Sequence, residues 1–243
     1  MKIGLFVYDF EHVRSYEGIS MILSSGFNIE CILAAPWQRL NIPKSTLNFS
    51  PKGFSYIHPR EVAFNINVPY YSVVHNSAEC GEIIEKYKLD LGIILGSRIL
   101  KKFIIDSFNI GILNPHQGLL PENRGLDNFE WAIIRNIPQG VTCHLIDKKV
   151  DWGSIVNKDI LCVYKEDSFS DIFLRTKNLE MKLLRDAIIS ISKGTKITRT
   201  KEMGVLNPSF MSVNLQQEVK EKFKFYKKNY RIIINNYEEK KNE

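Results

Sequence analysis

Short apolar runs alternate with amphipathic stretches through the first half of the chain. Residues 2–8 are apolar after Lys2 and read as a strand, and residues 11–25 read as a helix. Gly26, the residue type preferred just past a helix end, stops that helix, and residues 27–35 return as a second strand. A strand–helix–strand start predicts a parallel sheet. Residues 89–95 form one unbroken apolar run of strand length, the pattern of a central parallel strand buried on both faces. Before it, Asn76-Ser77 caps a helix over 78–87 whose apolar face is Cys80, Ile83, Ile84 and Tyr87. Residues 36–70 break the rhythm with Pro36, Pro43, Pro51, Pro59 and Pro69, so that stretch is expected to be loop with short extended pieces. A loop of that length is either a binding loop or a plain surface insertion.

The second half continues the alternation. Residues 99–108 read as a short helix, and residues 111–113 lead a buried strand into Asn114. A polar loop over 122–128 precedes a helix over 128–135. Residues 141–146 and 154–163 read as strands around a turn that contains Asp151. Residues 168–193 form the longest helix, opened by a Ser168/Asp171 capping box and closed by Gly194. Beyond 195 the character changes. Asn207-Pro208-Ser209 is a turn, and Leu215, Val219, Phe223, Tyr226 and Tyr230 follow at helical spacing in a Lys-, Tyr- and Asn-rich tail. Residues 238–243 are expected to fray.

Composition narrows the class. The 243 residues, 44% apolar and 25% charged, suit a globular domain with an appendage. No apolar run reaches membrane-span length, and the N-terminus lacks a signal-peptide cleavage pattern. Cys31, Cys80, Cys143 and Cys162 are scattered, which points away from a zinc ribbon or disulfide framework and towards a reducing cytoplasm. The first turn, Tyr8-Asp9-Phe10-Glu11, has no glycine, so a dinucleotide-binding loop is not expected. The net charge of +6 fits either a phosphate-bearing partner or an ordinary lysine-rich surface.

Candidate chemistry centres on Asn114-Pro115-His116, where a core strand runs out. Alternation along a strand puts Asn114 and His116 on one face, and ligands of open α/β sheets bind at that end of the strands. An amide can donate to an oxygen gaining charge, a neutral imidazole can take a proton near pH 7, and a carboxylate such as Asp151 can orient the imidazole or relay the proton. No serine or cysteine sits in a nucleophile motif, which favours direct transfer between two bound substrates. Spacing alone leaves a hydrogen-bonded core histidine as an alternative. His144, beside Cys143 in a strand, reads as structural, because adjacent strand residues point to opposite faces. No metal site is expected.

The longer pattern is Gly111-Ile112-Leu113-Asn114-Pro115-His116-Gln117-Gly118-Leu119-Leu120-Pro121, then Gly140-Val141-Thr142-Cys143-His144, then Val150-Asp151-Trp152-Gly153. It resembles the folate-dependent formyltransferases, whose hallmark is Asn-x-His, a Leu-Leu-Pro turn and a downstream Asp-x-Gly. The stretch from Leu119 to Asn128 is most similar to the sugar N-formyltransferases. The resemblance covers roughly residues 1–190 and implies an α/β, Rossmann-like, mostly parallel sheet. Residues 191–243 would be a C-terminal appendage for dimerisation. It implies N10-formyltetrahydrofolate as co-substrate, a dTDP-linked amino-dideoxysugar as acceptor (dTDP-4-amino-4,6-dideoxyglucose or its 3-amino isomer), and a homodimer.

By position, Asn114 would stabilise the oxyanion, His116 would deprotonate the amine, and Asp151 would polarise His116 or relay the proton. The pterin would lie against the backbone of Arg98, Ile99, Leu100, Asp147, Lys148 and Val150. Arg124, Asp127 and Asn128 are candidates for the acceptor, with a surface salt bridge for Arg124 and a helix cap for Asp127 as the alternatives. Two departures concern pocket shape. Gln117-Gly118 replaces the usual Pro-Ser, and the bulky Trp152 stands between Asp151 and Gly153, narrowing a pocket or packing outward. A methionyl-tRNA or ribonucleotide acceptor stays open. So does a nucleic-acid-binding module with a degenerate enzyme domain, although acidic residues are mixed into the basic tail.

Overall fold

A computed structural model describes residues 1–47, 49, 55–195, 197–199 and 204–242; Pro51 lies outside the described residues. In chain order the elements are β1 (Ile3–Tyr8), α1 (Val13–Ser24), β2 (Ile29–Ala35), α2 (Pro59–Asn65), β3 (Tyr70–Ser72), α3 (Ala78–Tyr87), β4 (Leu91–Ile94), α4 (Lys102–Ile105) and β5 (Gly111–His116). They continue with β6 (Asn123–Gly125), α5 (Asn128–Arg135), β7 (Gly140–Ile146), β8 (Gly153–Ile160), α6 (Phe169–Ser192), β9 (Thr198–Arg199), β10 (Val205–Asn207), α7 (Val213–Lys228) and α8 (Tyr230–Asn242).

The main sheet has the order β3-β2-β1-β4-β5-β7-β8-β9. From β3 to β5 every pairing is parallel, and from β5 to β9 every pairing is antiparallel. The mostly parallel α/β expectation holds. Both faces of the parallel half are covered. Leu5 and Val7 pack with Ile19 and Ile22 of α1 and Leu184 and Ile188 of α6, whereas Phe6 packs with Ile83 and Ile84 of α3 and Ile104 of α4. The alternation of β1 between the two clusters is what a strand buried on both sides requires.

Three local expectations are corrected. A helix, α2, stands within the proline-punctuated region, because Pro59 occupies its first turn and the His58 ring accepts from the Arg60 N–H as a cap. Proline is well placed at that position and breaks a helix only further in. The helix expected over 99–108 shrinks to Lys102–Ile105, since Asn76 holds the preceding loop at the Ile99 carbonyl and the Lys101 N–H. The tail end continues as helix to Asn242.

The C-terminal segment shares a core with the body. Val219, Phe223, Tyr226 and Tyr230 cluster with Ile133 of α5, with Leu161 just past β8 and with Ile172 of α6. The Tyr226 hydroxyl donates to the Ile137 carbonyl at 2.7 Å and the Tyr230 hydroxyl to the Leu161 carbonyl at 2.8 Å. The capping box at the start of α6 is present, with the Ser168 and Asp171 side chains exchanging bonds with each other's backbone N–H. No helix among the described residues is long and apolar enough to cross a membrane.

Candidate active site

The end of β5 delivers Asn114 and His116 to one place, and the β7–β8 turn brings Asp151 to them. Asp151 takes a left-handed conformation (φ 44°) in that turn. Its Oδ1 lies 3.4 Å from His116 Nδ1 and 3.5 Å from Asn114 Nδ2. Its Oδ2 accepts from the Gly125 N–H at 2.8 Å. The turn is held by its own main chain, with the Asp147 N–H donating to the Trp152 carbonyl at 3.0 Å. Gly153, the glycine of the Asp-x-Gly motif, is required by close approach: a Cβ there would stand 1.9 Å from the Leu145 carbonyl oxygen.

His144 belongs to this group. It pairs directly across β5–β7 from Asn114, and facing residues of an antiparallel pair share a sheet face. Its Nε2 lies 3.2 Å from Asn114 Nδ2 and 3.8 Å from Asp151 Oδ1. Complete burial drives the imidazole down to about 4, against the pull of Asp151, so it is neutral near pH 7. A neutral His144 accepts one amide hydrogen of Asn114. The second amide hydrogen is left near Asp151 at the limit of hydrogen-bond reach, available to a substrate oxygen. Cys143, its neighbour, points to the opposite face and packs with Leu184 and Ala187 of α6.

The three residues expected to meet the acceptor occupy different settings. Arg124 is buried, and its guanidinium is spent on main-chain carbonyls. Nη2 donates to Val150 O at 2.6 Å, Nε to Val150 O at 3.1 Å and Asp151 O at 3.2 Å, and Nη1 to Gly204 O at 3.4 Å. It faces neither a surface carboxylate nor the open cleft. Asp127 lines the cleft but caps nothing; its carboxylate accepts from the Met211 N–H, and burial pushes its carboxyl up. Asn128 also lines the cleft and donates through Nδ2 to the Gly125 carbonyl at 2.7 Å.

The catalytic candidates stand between two lobes of one cleft. A lobe of about 420 Å³ is lined by Ile94 to Leu100, by Ile146 to Asp151 and by Tyr8, and so brings together Arg98, Ile99, Leu100, Asp147, Lys148 and Val150. Two of the main-chain acceptors there are already engaged: Ile99 O by Asn76 Nδ2 at 2.9 Å, and Val150 O by Arg124. Arg98 lies over the Tyr8 ring, 5.5 Å from its centroid. Trp152 lines neither lobe; Lys149 Nζ sits 4.0 Å over its ring. Ile94, Leu95 and Ile146 supply apolar lining to this lobe beside its polar residues.

The other lobe, about 520 Å³, is lined by Phe49, Phe129, Phe173, Phe210, Arg14 and Lys177, with Asp127 and Glu130 also present. Behind it lies the fully buried Glu180, which pairs with Arg14, receives Gln117 Nε2 at 2.7 Å and has Lys177 Nζ at 3.4 Å. Arg14 and Lys177 share this one carboxylate, and Asp127 and Glu130 add acidic groups to the same lobe. Burial lowers the Lys177 ammonium, holds His12 down to about 4 with help from Arg14 and Lys177, and pushes Glu130 up to about 7. Arg14, Glu130, Lys177 and Glu180 were not singled out from sequence. One signal was available: Glu180 interrupts the apolar face of α6 between Thr176 and Leu183, where an acid is unexpected unless paired. Among the described residues no group of three His, Cys, Asp or Glu side chains could hold a metal ion.

Comparison with known proteins bears on this arrangement. A family model described as formyl transferase matches residues 66–188, half of the chain, and that span contains Asn114, His116, His144 and Asp151. A methionyl-tRNA formyltransferase of Chlorobium chlorochromatii is 25% identical over 145 residues, 59% of this chain and 46% of that protein. The bifunctional polymyxin resistance protein ArnA of Wigglesworthia glossinidia brevipalpis is 26% identical over 195 residues, 79% of this chain and 28% of that protein. The chain thus spans less than half the length of these curated relatives. Among solved structures, glycinamide ribonucleotide transformylase 1 from Symbiobacterium toebii superposes with a TM-score of 0.64 at 19% identity, covering 85% of this chain and 94% of that one. The N-formyltransferase from Helicobacter canadensis, in complex with folinic acid and dTDP-3-aminofucose, gives 0.59 at 19% identity over 88% of this chain and 71% of that one. At these identities the superpositions speak for the fold; with the family match over the catalytic strand and turn, the chain belongs to the formyl transferase family.

Proposed function

We propose that the cleft moves a formyl group from N10-formyltetrahydrofolate to the amine of a nucleotide-linked amino-dideoxysugar, with dTDP-4-amino-4,6-dideoxyglucose as the leading acceptor, in surface polysaccharide synthesis. The observation that carries the reading is the meeting of Asn114, His116 and Asp151 between two lobes of unlike chemistry. The slot at Arg98–Leu100 and Asp147–Val150 takes the flat donor. The aromatic lobe, with Arg14 and Lys177 on its wall, takes an acceptor carrying a base and phosphates. The reaction forms a bond from the amine nitrogen to the formyl carbon and breaks that carbon's bond to the donor nitrogen. One proton leaves the amine and one is gained by the donor nitrogen. His116 removes the first, Asp151 stabilises the imidazolium and relays it, and the Asn114 N–H at the long contact to Asp151 turns to the substrate oxygen that gains charge.

The residues expected to touch the acceptor are Asp127 and Asn128, together with Lys177 and Phe173. In the same reading the C-terminal helices make a homodimer contact through the exposed Phe225 and Ile232. Light scattering that shows a monomer at micromolar protein rules that contact out.

The test incubates the protein with formyltetrahydrofolate and a panel of nucleotide amino sugars and looks for a one-formyl mass gain. His116→Ala and Asp151→Ala should each lower turnover by roughly 10²–10⁴-fold with the circular dichroism unchanged. Near-wild-type turnover in both variants defeats the assignment. A second reading, the same chemistry on methionyl-tRNA, is favoured by the curated relatives that bear that name; formylation of charged tRNA with no sugar product would select it.

A further inference from the structure

β6 is three residues long, yet it touches every part of the acid–base pair. The Asn123 carbonyl lies 2.9 Å from His116 Nε2, the Arg124 guanidinium holds the carbonyls of Val150 and Asp151, and the Gly125 N–H binds the Asp151 carboxylate. β6 has no place in the main sheet; its strand partner is β10, with Val205, Leu206 and Asn207 in register with Asn123, Arg124 and Gly125. β10 lies outside the residues that match the family model, which end at 188.

Side chains tie the two strands behind the histidine. Asn207 Nδ2 donates to Asn123 Oδ1 at 3.1 Å, and Asn123 Nδ2 donates to the Asn128 carbonyl at 2.6 Å. Arg135 Nη2 donates to Asn207 Oδ1, and the Leu126 N–H donates to the Asn207 carbonyl at 2.9 Å. Asn207, Asn123 and His116 are 3%, 1% and 6% exposed, so water does not replace these bonds.

The consequence for His116 is chemical. A carbonyl only accepts, so the Nε2 facing Asn123 O carries a hydrogen, and in the neutral ring Nδ1 is then bare. Nδ1 is the atom that faces Asp151. Gly118 makes this placement possible: a Cβ there would stand 2.8 Å from His116 Nε2 and 2.9 Å from Asn123 O. Other titratable or charged groups around the ring are His144 from β7, with ring centroids 6.2 Å apart, and His12 and Arg14 across the cleft.

We propose that Asn207 is a positioning residue: through Asn123 it holds His116 as the Nε2–H tautomer, so that Nδ1 is the basic atom and Asp151 its counter-charge. The amine proton passes to Nδ1, giving an imidazolium bonded to Asn123 O on one side and facing the Asp151 carboxylate on the other. The kinetic part rests on the formyl-transfer reading above; the tautomer does not.

The test uses the full chain with ¹⁵N-labelled histidine, whose ring nitrogen shifts distinguish the two tautomers without any substrate. Wild-type His116 should be the Nε2–H form. Asn207→Ala should give a mixture of tautomers, a kcat about tenfold lower with acceptor KM within about twofold, and a displaced acid limb of the kcat–pH profile. Asn207→Asp, which keeps the size and the Arg135 contact but removes the donor to Asn123, guards against loss of fold and should move the same three readouts. Gly118→Ala, which pushes the ring off Asn123 O, should shift the tautomer in the same sense. An Nδ1–H wild-type ring, or folded Asn207 variants with unchanged tautomer and kcat, would overturn the proposal. If no acceptor is formylated, the functional reading falls while the ring shifts still decide this one.

Discussion

Replacing Arg124 separates two accounts of the polar loop after β5. If Arg124 met the acceptor, Arg124→Met would raise acceptor KM and leave stability alone. The structure puts its guanidinium on Val150 O and Asp151 O inside the protein. A charge-assisted hydrogen bond contributes about 1.5–3 kcal/mol, so losing two gross contacts removes roughly 3–6 kcal/mol. Relief from keeping a cation 5% exposed offsets part of this, leaving a net loss of about 2–4 kcal/mol. For a chain of this length each kcal/mol lowers Tm by about 2–4 °C, giving a fall of roughly 5–15 °C by differential scanning calorimetry. Because Asp151 rides on the same turn, kcat should fall about 10–100-fold with acceptor KM nearly unchanged. Arg124→Lys should be intermediate, since a point ammonium does not span two carbonyls as a planar fork does. An unmoved Tm together with a tenfold higher acceptor KM would refute the reasoning.

Three other outcomes are expected. Asp151→Asn keeps a residue that tolerates the left-handed φ of 44° and an acceptor for Gly125, so Tm should stay within about 2 °C while turnover drops roughly 10²–10⁴-fold; turnover near wild type counts against a charged role. Glu130, pushed up to about 7 by burial, holds its proton in the folded state after the unfolded chain has released it, so stability falls as pH rises from the ordinary carboxylate range through about 7. Glu130→Gln should therefore gain in Tm over wild type at pH 8 and little at pH 5, and an equal difference at both values contradicts the assignment. Ser168→Ala removes the capping box of α6 and should cost about 1 kcal/mol, or roughly 2–4 °C in Tm, with turnover unchanged.

Much of the scaffold was legible because its signals are local. Ser77 caps α3 and Asn128–Arg135 forms α5 where the periodicity places them, and the unbroken apolar run near 89–95 holds the central β4. Asn114 and His116 share a face because strand alternation demands it. What a local reading does not reach depends on partners remote in sequence. His144 sits opposite Asn114 only because β7 pairs with β5 antiparallel in that register, which no window around residue 144 reveals. Arg124, on a polar loop, was a candidate for the acceptor or for a surface salt bridge, and its burial follows from β10 arriving eighty residues later to cover β6. The proline-rich stretch hid α2 because proline signals both a loop and a helix start, and the surrounding residues decide which.

One buried acid ties the wall of the aromatic lobe to the Asn-x-His segment. Glu180 holds Arg14 and Lys177 on that wall and at the same time receives Gln117, the residue immediately after His116. Arg14 also donates to the Pro115 carbonyl, inside the Asn-x-His segment itself. A ligand anion that drew Arg14 or Lys177 towards the cleft would therefore pull on both residues flanking His116, because a carboxylate with no exposure has no water to turn to when a partner leaves. Gln117, which stands where the family usually has proline, supplies the side-chain donor that makes this link. Loosening it by Gln117→Ala should leave a lone pair of Glu180 unsatisfied and uncouple acceptor binding from the position of the histidine. The signature is a fall in kcat that depends on whether the acceptor carries phosphate, read by comparing a nucleotide-linked amino sugar with the same sugar free; an equal fall for both would break the coupling argument.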